Sequence, residues 1–88
     1  MANIKSQEKR IHRAERERLE NRRYTSSVRT YFRRLEAAVA AADATLADEE
    51  LRNVSSYIDR AVARGAMHRN TAGRKKARAT RVRASLDS

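Results

Sequence analysis

No proline occurs anywhere in this chain, and its two glycines, Gly65 and Gly73, both lie in the last third. The stretch from Ile4 to about Ala42 therefore contains neither of the residues that most readily break a helix. Arg and Ala dominate the remainder, which reinforces the helical bias. At 88 residues the chain has room for one domain, 1–88, with a marginal core. A chain of this size buries only about 60–65% of its unfolded surface, so helix propensity and a partner share the work of ordering it.

Hydrophobic spacing divides the chain into three helices. In the first, Tyr24, Val28, Tyr31, Leu35, Val39 and Ala42 recur at steps of four and three, which lays one seam on a helix. Upstream of Tyr24 the residues are almost all polar, so a helix of more than about 35 residues should project beyond its bundle through its first half. Asp43-Ala44-Thr45 reads as a turn, with Thr45 and Asp48 spaced as a capping-box variant. That start places Asp48, Glu49 and Glu50 in a first turn, where the helix dipole favours negative charge. Ala47, Leu51, Val54, Ile58, Ala61 and Val62 share one face of the second helix, and Gly65 is suited to stop it in the left-handed conformation. A third helix is expected to start between Met67 and Thr71, with Asn70 as cap, and to run towards Leu86. Its apolar face of Ala72, Ala79, Val82 and Leu86 is thin. The fold class that follows is all-α, an antiparallel three-helix bundle with a long, partly projecting first helix.

Charge is distributed unevenly along these helices. Residues 1–34 carry 11 Lys/Arg against 4 Asp/Glu, residues 35–64 carry 3 against 6, and residues 65–88 carry 7 against 1. The net +10 is thus concentrated at the two ends. Such concentration costs self-repulsion that a polyanion offsets, and nucleic acid is the commonest polyanion to do so. At 100° per residue, Lys5, Lys9, Arg13, Arg16 and Arg23 fall within about 80° of one another on the first helix. Arg18, Arg22, Arg29 and Arg33 form a second stripe, roughly opposite the seam. On the third helix Arg74, Arg78 and Arg81 line up, with Lys76 and Arg83 on another flank. A DNA groove asks for one recognition face. Charge on several faces suits insertion among several phosphate backbones, as in a folded RNA. Glu8, Glu15, Glu17 and Glu20 can pair with nearby arginines at about 0.2–0.5 kcal/mol each, yet basic charge remains in excess. Phe32 lies off the seam, placed either to pack beside the third helix or to stack on a base.

Other functions find little support in the residues. Cysteine is absent, which removes disulfides and thiolate metal sites, and His12 and His68 are the only histidines. No metal or cofactor is expected. Glu49 and Glu50 are helix neighbours that do not face each other, and there is no Gly-rich phosphate loop or nucleophile–base set, so the chain does not read as an enzyme. No apolar run approaches the roughly 20 residues of a membrane span, and the polar N-terminus argues against secretion. The expected location is cytoplasmic.

The two ends also carry a family likeness. Ala2-Asn3-Ile4-Lys5-Ser6 with Lys9-Arg10 resembles the opening of the S-twenty family of bacterial small-subunit (30S) ribosomal proteins. So does the block Ile58-Asp59-Arg60-Ala61, Gly65, His68-Arg69-Asn70-Thr71-Ala72 and Arg74-Lys75-Lys76-Ala77-Arg78. Asn21-Arg22 and Ala37–Asp43 are similar to the family as well. The resemblance spans nearly the whole chain, and the terminal blocks are its most specific part. It implies a three-helix bundle that binds 16S ribosomal RNA directly and early in assembly. By that resemblance Asn3, Lys5, Ser6, Lys9 and Arg10 contact RNA near the N-terminus, and His68, Asn70, Arg74, Lys75, Lys76 and Arg78 contact it around the third helix. Asp59 and Gly65 are implied to be structural. The basic stripes add Arg13, Arg16, Arg22, Arg23, Arg29 and Arg81 as RNA-binding candidates. Gln7-Glu8, the aromatic seam and Gly73, where alanine is usual, depart from the family pattern.

The expected function is a structural one: clamping several RNA helices together in the small ribosomal subunit, with few protein contacts and no obligate homo-oligomer. About 8 phosphate contacts would give a log–log salt slope of roughly −6 to −7. The projecting half of the first helix is expected to be only partly ordered without RNA. A generic DNA-compacting helical protein is the alternative. A coiled-coil module pairing through the Tyr24–Val39 seam leaves the basic ends without a role, and a membrane-surface helix lacks a broad apolar face.

Overall fold

The computed structural model describes residues 3–87, with side chains from Gln7 onward. Three helices follow one another, α1 (Asn3–Ala40), α2 (Ala44–Ala63) and α3 (Arg69–Ala84), closed by a 3₁₀ turn at Ser85–Asp87. Among the described residues there is no strand. The all-α three-helix architecture with a long first helix is as expected. At 1.5 Å per residue the 38 residues of α1 span about 57 Å and account for most of the 66 Å long axis. The radius of gyration, 17.4 Å, exceeds the roughly 12 Å of a compact domain of this length.

The elongation has a plain cause in the sequence. Every side chain from Gln7 to Glu20 is exposed, including Ile11 and Leu19, because this half of α1 has no apolar face to cover. Burial on α1 begins at Val28 and continues through Leu35 and Ala38. On the other helices it takes in Ala47, Val54, Ile58, Ala61, Ala72 and Ala79. Five of these nine core residues are alanines, so the helix backbones approach closely and leave only Leu35, Val54 and Ile58 as large, fully buried side chains. Tyr31, Phe32, Val39, Leu51, Val62, Met67, Val82 and Leu86 pack half-buried around this centre. Tyr31 stacks on Tyr57 with ring centroids 4.8 Å apart. Arg34 lies over the first ring and Arg60 over the second, each 5.0 Å from its centroid.

Three local expectations are corrected. The seam ends at Ala38 and Val39, because Ala42 has left the helix at φ +56°. The Asp43 N–H donates to the Ala38 carbonyl and the Ala42 N–H to the Val39 carbonyl, both at 3.0 Å. This is a Schellman turn with alanine in its left-handed position. The same pattern closes α2, where the Ala66 N–H donates to Ala61 and the Gly65 N–H to Val62, with Gly65 at φ +75° as expected.

The second correction concerns the start of α2. Asp43, not Thr45, is its cap, and the carboxylate accepts the Leu46 N–H at 3.1 Å. Helix α2 therefore begins early enough that Asp48, Glu49 and Glu50 lie beyond its first turn, where the dipole effect has faded. The third is the cap of α3. His68 Nδ1 accepts the Asn70 N–H at 3.1 Å, and Asn70 lies inside the first turn.

The acids of the middle segment hold the bundle together. Asp48 on α2 pairs with Arg83 on α3, and Asp59 on α2 pairs with Lys76 on α3. Glu36 on α1 reaches Arg78 at 3.9 Å. Among the described residues no ion pair joins Glu8, Glu15, Glu17 or Glu20 to an arginine, so the local pairing expected on α1 is absent there.

Candidate nucleic-acid interface

The bundle geometry sorts the cations into three groups. The first is the projecting half of α1, where Lys9, Arg10, Arg13 and Arg16 are exposed, with Arg22 and Arg23 continuing the series. The side chains of Asn3, Lys5 and Ser6 lie outside the described residues. Arg23 also lines a hollow of about 130 Å³ with Glu20, Tyr24 and Arg64, where α1 meets the end of α2.

The second group surrounds a groove of about 470 Å³ between α1 and α3. Its apolar floor is Val28, Phe32 and Met67, and Arg29, Arg33, Lys75 and Arg78 rim it. The arginine stripe expected roughly opposite the seam thus partly flanks the core, because α3 docks beside it. Arg78 extends its guanidinium over the Phe32 ring at 5.0 Å from the centroid. Its ion pair with Glu36 is long and exposed, a kind worth about 0–1 kcal/mol.

The third group is the outer face of α3. Arg74 and Arg81 are exposed there, as are His68 and Asn70 at the helix start. Since His68 Nδ1 accepts the capping hydrogen bond, the ring's other nitrogen remains as its donor. Lys76 differs from its neighbours. It faces α2, half-buried and paired with Asp59, so its first role is to hold the bundle. Arg83 shares that flank at 17% side-chain exposure. Its hydrogen bond holds the Asp48 carboxyl below the usual carboxylate range, against an opposing effect of burial and with further help from the charges of Arg83 itself and of Arg52. Asp87 adds a second carboxylate beside Arg83.

The arrangement offers cationic donors along the projecting half of α1, around the groove and on the outer face of α3. Among the described residues no group of three or more acids and histidines could hold a metal ion, and no helix is long and apolar enough to cross a membrane. The profile of ribosomal protein S20 matches residues 2–83, which takes in all three helices except the last residue of α3. The chain belongs to the ribosomal protein S20 family.

Curated relatives agree with that placement. The chain is 47% identical to small ribosomal subunit protein bS20 of Kocuria rhizophila over 76 residues, covering 86% of this chain and 88% of the relative. It is 50% identical to the protein of the same name in Mycobacteroides abscessus, with coverage of 86% and 88%. For Acaryochloris marina the identity is 44%, covering 93% of this chain and 95% of the relative. The family is one of structural ribosomal proteins, not enzymes.

Sequence reasoning missed Arg33 and Met67 as groove residues and Arg64 beside Arg23. The off-seam position of Phe32 was the one signal for the groove, since it required either a third helix or a ligand beside α1.

Proposed function

We propose that this chain is a structural constituent of the small ribosomal subunit that binds 16S ribosomal RNA directly and clamps several of its helices. The observation that carries the reading is the separation of basic surfaces. The projecting half of α1 stands clear of the bundle, while the rim of the groove and the outer face of α3 lie against it. The acids of α2 pair with Lys76 and Arg83 on the inner flank of α3, which leaves Arg74 and Arg81 on its outer face without an acid partner among the described residues. Two RNA segments held by these surfaces would lose part of their mutual repulsion as counterions leave. Contacts would fall mainly on phosphates and 2′-hydroxyls, which makes shape more decisive than sequence.

The RNA candidates are Asn3, Lys5, Ser6, Lys9, Arg10, Arg13, Arg16, Arg22, Arg23, Arg29, His68, Asn70, Arg74, Lys75, Lys76, Arg78 and Arg81. Protein contacts are few, the chain is not an obligate homo-oligomer, and its location is the cytoplasmic ribosome. Binding to transcribed 16S RNA, with duplex DNA and unrelated folded RNA as competitors over a salt series, tests the proposal. A retained site with footprints on two or more RNA helices, and a log–log slope of roughly −6 to −7, supports the clamp. Equal binding to every polyanion refutes it and leaves the DNA-compacting alternative.

A further inference from the structure

The groove between α1 and α3 has a composition that a phosphate-binding surface does not need. Phosphates require cations and donors, yet the floor here is Val28, Phe32 and Met67. A ligand matched to both parts has a flat apolar face and an attached anion. We infer that the groove takes one unpaired nucleobase, stacked on the Phe32 ring, with its backbone phosphates on Arg29, Arg33 and Lys75. The inference rests on the RNA-binding proposal above and assigns that proposal a base-recognition site.

Charge complementarity selects this occupant, since four cations rim the groove against the single carboxylate of Glu36. The position of Arg78 is consistent with it. In the free protein its guanidinium covers the Phe32 ring, the role a base would take over. Only a 3.9 Å ion pair between exposed side chains ties it to Glu36. An exposed pair of this kind holds a side chain weakly. Arg78 can therefore leave the ring for a phosphate when a base arrives. Half-buried on the side of α1 where α3 docks, Phe32 holds its ring in place through packing, so little ordering is needed on binding.

The chain contains no tryptophan, so Phe32→Trp introduces a sole indole reporter. Its emission should be quenched when transcribed 16S RNA binds, while the indole of a Leu46→Trp control on the acidic helix should keep its emission. Phe32→Leu retains an apolar side chain but removes the ring. Its affinity should fall about 5- to 150-fold, the range for loss of one base stack, with the salt slope unchanged. Circular dichroism checks that each variant folds. If Phe32→Trp does not fold, ultraviolet crosslinking of the wild-type chain to the RNA, mapped to the peptide holding Phe32, gives the same readout.

Unquenched emission at saturating RNA overturns the inference, and is the result expected if another protein fills the groove. Quenching without a loss of affinity in Phe32→Leu also overturns it, because the ring would then touch RNA without contributing. Failure of the wild-type chain to bind 16S RNA is a separate result that removes the RNA reading itself.

Discussion

Helix α2 is bounded by two Schellman turns with the same hydrogen bonds, but the left-handed position holds Ala42 in one and Gly65 in the other. The left-handed conformation costs an L-residue about 1–2 kcal/mol through the clash of its Cβ with the following carbonyl oxygen. Ala42→Gly removes that cost. The freer unfolded chain of a glycine opposes this by about 0.4–1 kcal/mol, so the midpoints of the two ranges leave a net gain of about 0.8 kcal/mol. Ala42 is exposed, so little burial is lost with its methyl group. Gly65→Ala should reverse the sign at similar size. A Cβ built there meets nothing within 4 Å, so the change measures backbone strain free of clash. For a domain of 60–100 residues, 1 kcal/mol moves Tm by about 4–8 °C. Thermal unfolding followed by circular dichroism should therefore show Ala42→Gly raised by about 2–8 °C and Gly65→Ala lowered comparably. The turns lie at opposite ends of a 20-residue helix, about 30 Å apart, so the double exchange should return close to wild type. A destabilised Ala42→Gly, or a neutral Gly65→Ala, would refute the reasoning.

Further outcomes follow from the interior and the caps. The Asp48 carboxyl is held low by Arg83, so its stabilising contribution is complete above the ordinary value near 3.8 and disappears as pH falls through the lower folded value. Tm measured from pH 6 to 2 should lose this component in Arg83→Gln; an unchanged acid profile would dismiss the pair. Glu50 is only 8% exposed, and among the described residues its Oε2 has no hydrogen-bond partner. Glu50→Met should raise stability by about 1–3 kcal/mol in denaturant titration, since it removes an unsatisfied buried oxygen while keeping an unbranched side chain. His68→Ala should cost about 0.5–2 kcal/mol through loss of the α3 cap, and His68→Asn should restore most of it; equal losses in both would rule out capping.

How far the residues alone reveal the fold depends on whether a feature is local. The run without proline or glycine gives the length of α1, and the emptiness of its polar half gives the projection. Gly65 marks its turn because glycine is the residue suited to a positive φ. Ala42 carries no such mark, so its turn was missed and the seam extended two residues beyond the helix. The caps failed for a related reason. Thr45, Asp43 and Asn70 are all competent caps, and His68 is a rarer one, so composition cannot choose between them. Backbone direction at each helix start makes the choice.

The sequence by itself determined the helical class, the three segments, the basic ends and the family, because helix propensity, periodicity and net charge are properties of neighbouring residues. Only the tertiary structure decided which cations are committed to the bundle and which are free to act. Lys75, Lys76 and Arg78 lie within four residues of one another. The docking of α3 turns Lys76 onto Asp59 and brings Lys75 and Arg78 to the groove beside Phe32. That assignment depends on contacts between side chains more than 15 residues apart in the chain, set by the close approach of alanine-lined helix faces.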